Sequence, residues 1–423
     1  MNILNNKLSV SLALVLIVLC GCSEKAVDTH SVRSDTDEII FNIGDQNSDN
    51  STDSQNEHSS ESDIYSEMIS SMTVEEKVGQ LFFIRPEQLI DDSYVDDESI
   101  VGEDGEGATY VSDNLIEMYS EYPVGGFVLF AKNIEYPEQL ISFTNDLKSI
   151  GKIDTLIAVD EEGGIVTRLA GNENFNLPYI GTMESIGLTG DVTNAYDAGD
   201  AIGEYLSDYG IMWDLAPVAD INTNPDNRVI GNRSFGSDPQ LAAKMVRSYI
   251  DGLHDHGVKS TLKHFPGHGD TTDDTHTGNV YVEKTWDELL QAELIPFAEN
   301  LDVTDAVMTA HITLPNVTDD DLPCSLSYVM ITEKLRGELG FEGVVICDSL
   351  AMGGVTDRYT SGEAAVMAFE AGCDVLLTPQ NFYEAYRGVL DAVNSGEITQ
   401  ERLDESVRRI LILKEPLIKE VKQ

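Results

Sequence analysis

The chain has 423 residues, 41% of them hydrophobic, enough for a well-filled core in one large domain or two ordinary ones. Its 75 Asp and Glu against 26 Lys and Arg give a formal charge of -49. A surface so acidic repels polynucleotides and anionic lipid headgroups, which excludes nucleic acid as a partner.

The first segment is not part of a fold. After Lys7 comes LSVSLALVLIVLCGCS, an apolar run shorter than a membrane span and placed like a secretion signal. Its end, Leu19-Cys20-Gly21-Cys22, resembles a bacterial lipoprotein cleavage box. The expectation is a signal peptide over 1–21 and lipidation at Cys22; ordinary cleavage or an uncleaved anchor are the alternatives. Two acyl chains on Cys22 would make a stable anchor, so the expected location is extracytoplasmic, on a bacterial cell membrane. Residues 22–64 are rich in Ser, Asp, Asn, Glu and Gln and too polar to bury a core, which predicts a disordered tether. The folded domain is expected over 65–423, with an acidic surface insertion, DDSYVDDESIVGEDGEGATYVSD, at 91–113.

Short apolar runs then alternate with amphipathic stretches. The predicted strands are GQLFFI (79–84), GGFVLF (125–130), TLIAVD (155–160), WDLAPVADI (213–221), VKSTLKHF (258–265), AVMTAHI (306–312), GVVICDS (343–349) and DVLLTP (374–379). They are apolar without strict alternation, as strands buried on both faces are. Between them NAYDAGDAIGEYLSDYG, PQLAAKMVRSYIDGLHDHG and TWDELLQAELIPFAENL predict helices, and Thr399 is the expected N-cap of the closing one. Strands alternating with helices predict an α/β fold, a TIM-type (β/α)8 barrel, and no early G-x-G-x-x-G supports a dinucleotide fold. Cys324, Cys347 and Cys373 are widely spaced among apolar residues and are expected as small core residues, not as a disulfide framework or zinc site.

Polar residues fall at the ends of these strands: Asp160, Lys263-His264, His311 and Asp348. In a barrel they would open onto the C-terminal mouth, where active sites are built. One such residue is ordinarily a satisfied structural group; several at one end predict an enzyme. The stretch KHFPGHGDTTDDTH, 263–276, admits three readings. His264, His268 and His276 with Asp270 or Asp274 could form a metal site, although Pro266 and Gly267 prevent helical ligation and leave only a loop to assemble it. A phosphate cradle lacks its G-x-x-x-x-G-K-[ST]. The third reading is a loop, with hinge freedom from Gly267 and Gly269, in which Asp274 orients and charges His276 for proton transfer. Asp348 would be the partner nucleophile, or else a cap for the following helix; a carboxylate nucleophile plus a proton-transfer group is the equipment of retaining glycoside hydrolysis.

The motifs AVDEEGGIVTRL (158–169), VIGNRSFGSDP (229–239), LKHFPGHGDTTDDTH (262–276), VMTAHI (307–312) and ICDSLAMGGV (346–355) resemble family 3 glycoside hydrolases, in the β-N-acetylglucosaminidase (β-hexosaminidase) branch. The resemblance implies a barrel acting with retention through a glycosyl-enzyme intermediate, Asp348 as nucleophile, and His276 with Asp274 as acid/base. It implies sugar binding by Asp160, Arg168, Arg233, Lys263 and His264, and places His311 behind the reacting groups; His268 receives no direct role. Glu161 stands where Gln is more frequent, and either alters sugar affinity or points away. The implied protein needs no cofactor or metal, lacks the second α/β domain of larger relatives, acts as a monomer, and takes terminal β-linked GlcNAc from cell-wall fragments or related glycans. β-Glucosidase or β-xylosidase activity, phosphorolysis of GlcNAc glycosides, and a catalytically silent wall-binding lipoprotein are the alternatives.

Overall fold

The computed structural model describes residues 64–90, 107–271, 275, 278–415 and 417. The signal segment, Cys22, the tether up to 63, the acidic stretch over 91–106, Asp274 and His276 lie outside the described residues. Contacts divide the chain into Met1–Asp53 and Ser54–Gln423, and all that follows concerns the second unit.

Among its described residues run ten strands: β1 Phe82–Ile84, β2 Gly126–Leu129, β3 Leu156–Val159, β4 Trp213–Asp214, β5 Thr261–Phe265, β6 Val280–Tyr281, β7 Ala306–Thr309, β8 Ile312–Thr313, β9 Val344–Cys347 and β10 Leu376–Leu377. One parallel sheet has the order β10-β1-β2-β3-β4 and a second the order β5-β7-β9. Parallel bridges Trp213↔Lys259 and Val218↔Lys263 link β4 and the segment after it to β5 and the residues before it, and Ile346↔Val375 links β9 to the approach to β10. Nearly every residue of these strands is buried, so their sequences read as continuous apolar runs.

Each predicted strand contains an observed one, usually shorter, and the shortening has local causes. Gly79 and Gln80 end a helix, Val74–Gln80, started by a reciprocal cap between Thr73 and Glu76. In WDLAPVADI the ladder stops at Asp214 because Pro217 has no N–H to give. The chain stays tied to β5 through Thr261 N–H to Ala216 O at 2.8 Å and Ala219 N–H to Lys263 O at 2.7 Å. AVMTAHI breaks after Thr309, and its Ile312 leaves the sheet to pair with Val280 in a separate β6-β8 ribbon. TWDELLQAELIPFAENL is two short helices, Trp286–Leu290 and Ile295–Ala298, because Pro296 must sit in a first turn.

The other predicted helices form Thr193–Asp208, Pro239–Asp255 and Gln400–Leu413, the last capped by Thr399 Oγ1 accepting from Arg402 N–H. The first two pack so closely that a Cβ on Gly199 would lie 2.1 Å from Tyr249 O. Cys324, Cys347 and Cys373 are buried free thiols, as expected. Below the strands, buried Asp374 holds Arg336, Arg409 and Ser406, fastening the last helix to the sheet.

Candidate active site

A cavity of about 370 Å³ opens where the parallel strands end. Asp160 directly follows β3, Lys263 and His264 close β5, and Asp348 directly follows β9. All three positions line the cavity, together with Arg168 and Arg233 from the loops after β3 and β4. Every described residue given a catalytic or sugar-binding role thus meets in one place. Of the expected acid/base pair only the intervening Thr275 is described; it is buried, lines the cavity and accepts through its carbonyl from Gly354 N–H at 2.9 Å.

The polar wall is a continuous charge network. Lys263 Nζ lies 2.7 Å from Asp160 Oδ1 and 2.6 Å from Glu162 Oε1. Arg233 grips Glu162 with two bonds, Nε to Oε2 at 2.8 Å and Nη2 to Oε1 at 2.7 Å, the fork geometry that suits a carboxylate. Arg168 Nη2 reaches Asp160 Oδ2 at 3.6 Å while its guanidinium lies over the Phe130 ring. Burial would raise the Glu162 carboxyl, but the Arg233 and Lys263 charges outweigh it and hold it well below the usual carboxylate range. Burial likewise opposes the Lys263 charge, and Asp160 and Glu162 overcome it, so its pKa is raised.

Asp220 organises the other side. Its Oδ2 accepts from His264 N–H and sits 2.7 Å from His264 Nδ1, and its Oδ1 accepts from His268 N–H at 2.7 Å. Arg233 can only donate, so at its 3.4 Å contact with His264 Nε2 the ring nitrogen accepts and the ring proton sits on Nδ1, toward Asp220. Burial pushes the Asp220 carboxyl up; the facing His264 ring and His268 more than compensate, and its pKa is lowered. His268, left without a role by the sequence, also lines the cavity. Its ring nitrogens meet Thr271 Oγ1 at 2.9 Å and Thr275 Oγ1 at 3.2 Å, and burial, followed by the neighbouring His264 ring, lowers its pKa. Among the described residues no group of three His, Cys, Asp or Glu could hold an ion, and the His276 and Asp274 of the metal reading lie outside those residues.

Glu162 and Asp220 are the two residues that the sequence reading missed. Glu162 stood in view beside Glu161, and the Arg and Lys assigned to the site already called for more acid than Asp160 supplies. Glu161 itself points away from the cavity. Fully buried, it accepts from the N–H groups of Arg168, Leu169 and Ala170 and from the Tyr205 hydroxyl, fixing the loop that presents Arg168. Burial raises its pKa despite those donors.

Two local expectations are corrected. Gly269 is not a hinge: a Cβ there would lie 1.9 Å from Ile221 O, so the glycine is required by close packing. Nor does Asp348 cap the next helix. That helix, Gly353–Thr356, begins after Met352, and Asp348 Oδ1 instead accepts from the adjacent Ser349 N–H at 2.8 Å. His311 lies behind it, its Nε2 2.8 Å from Ser349 O and its Nδ1 2.6 Å from Ser325 Oγ.

Residues 73–413 match the model of the glycosyl hydrolase family 3 N terminal domain. Beta-hexosaminidase A of Pseudoalteromonas piscicida is 36% identical over 339 residues, 73% of this chain and 56% of that protein. Beta-hexosaminidase of Tolumonas auensis is 35% identical over 261 residues, 61% of this chain and 76% of that one. Among solved structures, a glycoside hydrolase family 3 beta-N-acetylglucosaminidase from Paenibacillus sp. str. FPU-7 superposes with a TM-score of 0.73 at 39% identity, over 82% of this chain and 62% of that one. The chain therefore spans little more than half the length of the first of these relatives. With the match running from Thr73 to Leu413, the chain belongs to glycosyl hydrolase family 3, beside its β-hexosaminidase members.

Proposed function

We propose that the protein is a retaining exo-β-N-acetylglucosaminidase that removes terminal β-linked GlcNAc from cell-wall fragments or related glycans. The observation that carries this reading is the single cavity shared by Asp348 and the Asp160–Lys263–Glu162–Arg233 network. The order of parallel strands and the bridges at Trp213, Val218 and Ile346 support a closed (β/α)8 barrel with that cavity at its mouth.

In the proposed reaction the Asp348 carboxylate attacks the anomeric carbon as the glycosidic bond breaks, and His276, oriented by Asp274, protonates the departing oxygen. Water, deprotonated by the same imidazole, then displaces Asp348 and releases the sugar with its configuration retained. Asp160 accepts bonds from sugar hydroxyls, and Arg168, Arg233, Lys263 and His264 orient the ring. An unperturbed imidazole has a pKa of roughly 6.5, so such an acid needs no burial to work near neutral pH. Lipidation at Cys22 would hold the enzyme, as a monomer, on the outer face of a bacterial membrane.

The test is Asp348→Asn against an aryl β-N-acetylglucosaminide. Turnover should fall by several orders of magnitude while the fold persists, and near-normal turnover would refute the assignment. The released sugar should be free GlcNAc with or without inorganic phosphate; GlcNAc 1-phosphate would make the enzyme a phosphorylase.

A further inference from the structure

Outside the cavity, two tyrosines stand in solvent at the same end of the strands. Tyr110 is 70% exposed and Tyr136 is 49% exposed, and they border a groove of about 260 Å³. Both rings ride on fixed backbone. The segment before Tyr110 is held by Asn133 Nδ2 donating to Ala108 O at 3.0 Å and Gln139 Nε2 donating to Thr109 O at 2.7 Å. Tyr136 has extended backbone set by Pro137, which opens the helix Pro137–Lys148. Other exposed tyrosines of the chain stand elsewhere, whereas these two rings flank one groove.

The rest of the groove indicates what the ligand is. Glu138, Ser142 and Asp146 are exposed and fall on one face of that helix, spaced one turn apart. They run along the groove over about 12 Å, so the two carboxylates cannot converge on one cation. No Lys or Arg is among the described residues lining the groove, so it offers an anion nothing. Aromatic faces flanking a row of hydroxyl and carboxylate acceptors match an extended, uncharged chain of sugars, whose C–H faces stack and whose hydroxyls donate.

One loop borders both the groove and the cavity. The loop after β2 supplies Phe130 to the cavity wall at one end and Tyr136 to the groove at the other. Asn172, just past Arg168, ties this loop down by donating to Ile134 O at 2.9 Å. We infer that the Tyr110–Tyr136 groove is a second carbohydrate-binding site, which holds a distant stretch of a neutral GlcNAc-containing glycan while a chain end enters the cavity. This rests on the GlcNAc reading for its sugar but not on catalysis.

The experiment uses the full chain and its Tyr110→Ser/Tyr136→Ser variant, with Tyr110→Phe/Tyr136→Phe as the stacking-competent control. Binding of a β-1,4-linked GlcNAc hexamer is measured by calorimetry with excess free GlcNAc occupying the cavity. Cleavage of an aryl β-N-acetylglucosaminide is followed in parallel and reports on folding. The serine variant should keep aryl cleavage within about twofold and lose at least tenfold in hexamer affinity, and the phenylalanine variant should retain it. Unchanged hexamer binding by the serine variant overturns the inference, as does tighter binding of a lysine-rich peptide than of the hexamer. If the wild type binds the hexamer but cleaves no aryl glycoside, the catalytic reading fails and the groove stands.

Discussion

Replacing Glu162 by Gln tests whether the charge network, rather than its separate members, builds the site. The side chain is buried, keeps its shape in the variant, and loses only the charge that faces Arg233 and Lys263. Three charge-assisted bonds converge on it. Taken singly each would contribute about 1.5–3 kcal/mol, but the desolvation of all three groups offsets much of that. Breaking such a buried arrangement by neutralising one partner costs about 3–5 kcal/mol, and the Gln amide can still accept one bond, so a loss near 3 kcal/mol is expected. The sign of the pH dependence follows from the lowered folded-state pKa. The stabilising charge is present above the unfolded-state value of roughly 4.3 and is lost as pH falls below it toward the folded-state value. The stability difference between wild type and Glu162→Gln should therefore be flat from pH 8 to pH 5 and shrink in stronger acid. Chemical denaturation at several pH values measures this. Because Lys263 and Arg233 would lose their fixed orientation, kcat/KM for an aryl β-N-acetylglucosaminide should also fall by at least 100-fold. A variant as stable and as active as wild type would refute the reasoning.

Three other outcomes are expected. His276→Ala should cut turnover of substrates with poor leaving groups by 10²-fold or more and spare dinitrophenyl glycosides, because only the former need a proton on the departing oxygen; equal losses on both would argue against His276 as the acid. Asp220→Asn should raise KM more than it lowers kcat, since the residue holds His264 and the loop bearing His268 and does not itself line the cavity; an unchanged KM would show that His264 needs no such support. Lys414 is buried against Gln80 Oε1 at 2.7 Å, and burial lowers its pKa to about 7. Against an unfolded value near 10.4, wild-type stability should rise with pH between about 7 and 10, so Lys414→Met should be stabilised by about 3 kcal/mol at pH 6 and progressively less toward pH 10, as thermal or urea unfolding would show.

What could be read from the sequence, and what could not, divides along a physical line. A strand buried on both faces announces itself by composition, and a charged residue at its end stands out against that apolar run. Asp160, Lys263 and Asp348 were legible for this reason. Arg168 and Arg233 sit in loops without periodicity, and only motif resemblance pointed to them. Asp220 lies within the expected WDLAPVADI strand, but its partners are 44 and 48 residues downstream, and no local pattern records such a pairing. Pro217 was visible and should have shortened that strand, since a prolyl nitrogen cannot join a ladder. Gly269 misled in another way: a glycine needed for close approach has the same letter as one needed for freedom, and only the carbonyl of Ile221 tells them apart.

The arrangement of charge explains how so acidic a chain could host the neutral sugar proposed for it. The cavity carries Asp160, Glu162 and Asp348 against Arg168, Arg233 and Lys263, so the groups nearly cancel and have already oriented one another. A neutral substrate need not supply a counter-charge, and the site need not reorganise to receive it. Satisfying these groups also uses most of their donors. Of the three N–H bonds on Lys263 Nζ, two are directed at Asp160 and Glu162, which leaves one for a ligand. Arg233 directs its donors to Glu162, Val229 O and His264. Few donors remain, each fixed in direction by a partner from another strand end. Recognition then depends on whether a sugar offers acceptors at those few points, and a ligand lacking one leaves a buried donor unpaired. The same acids that permit the cations to be buried thereby set the geometry against which a sugar ring is read.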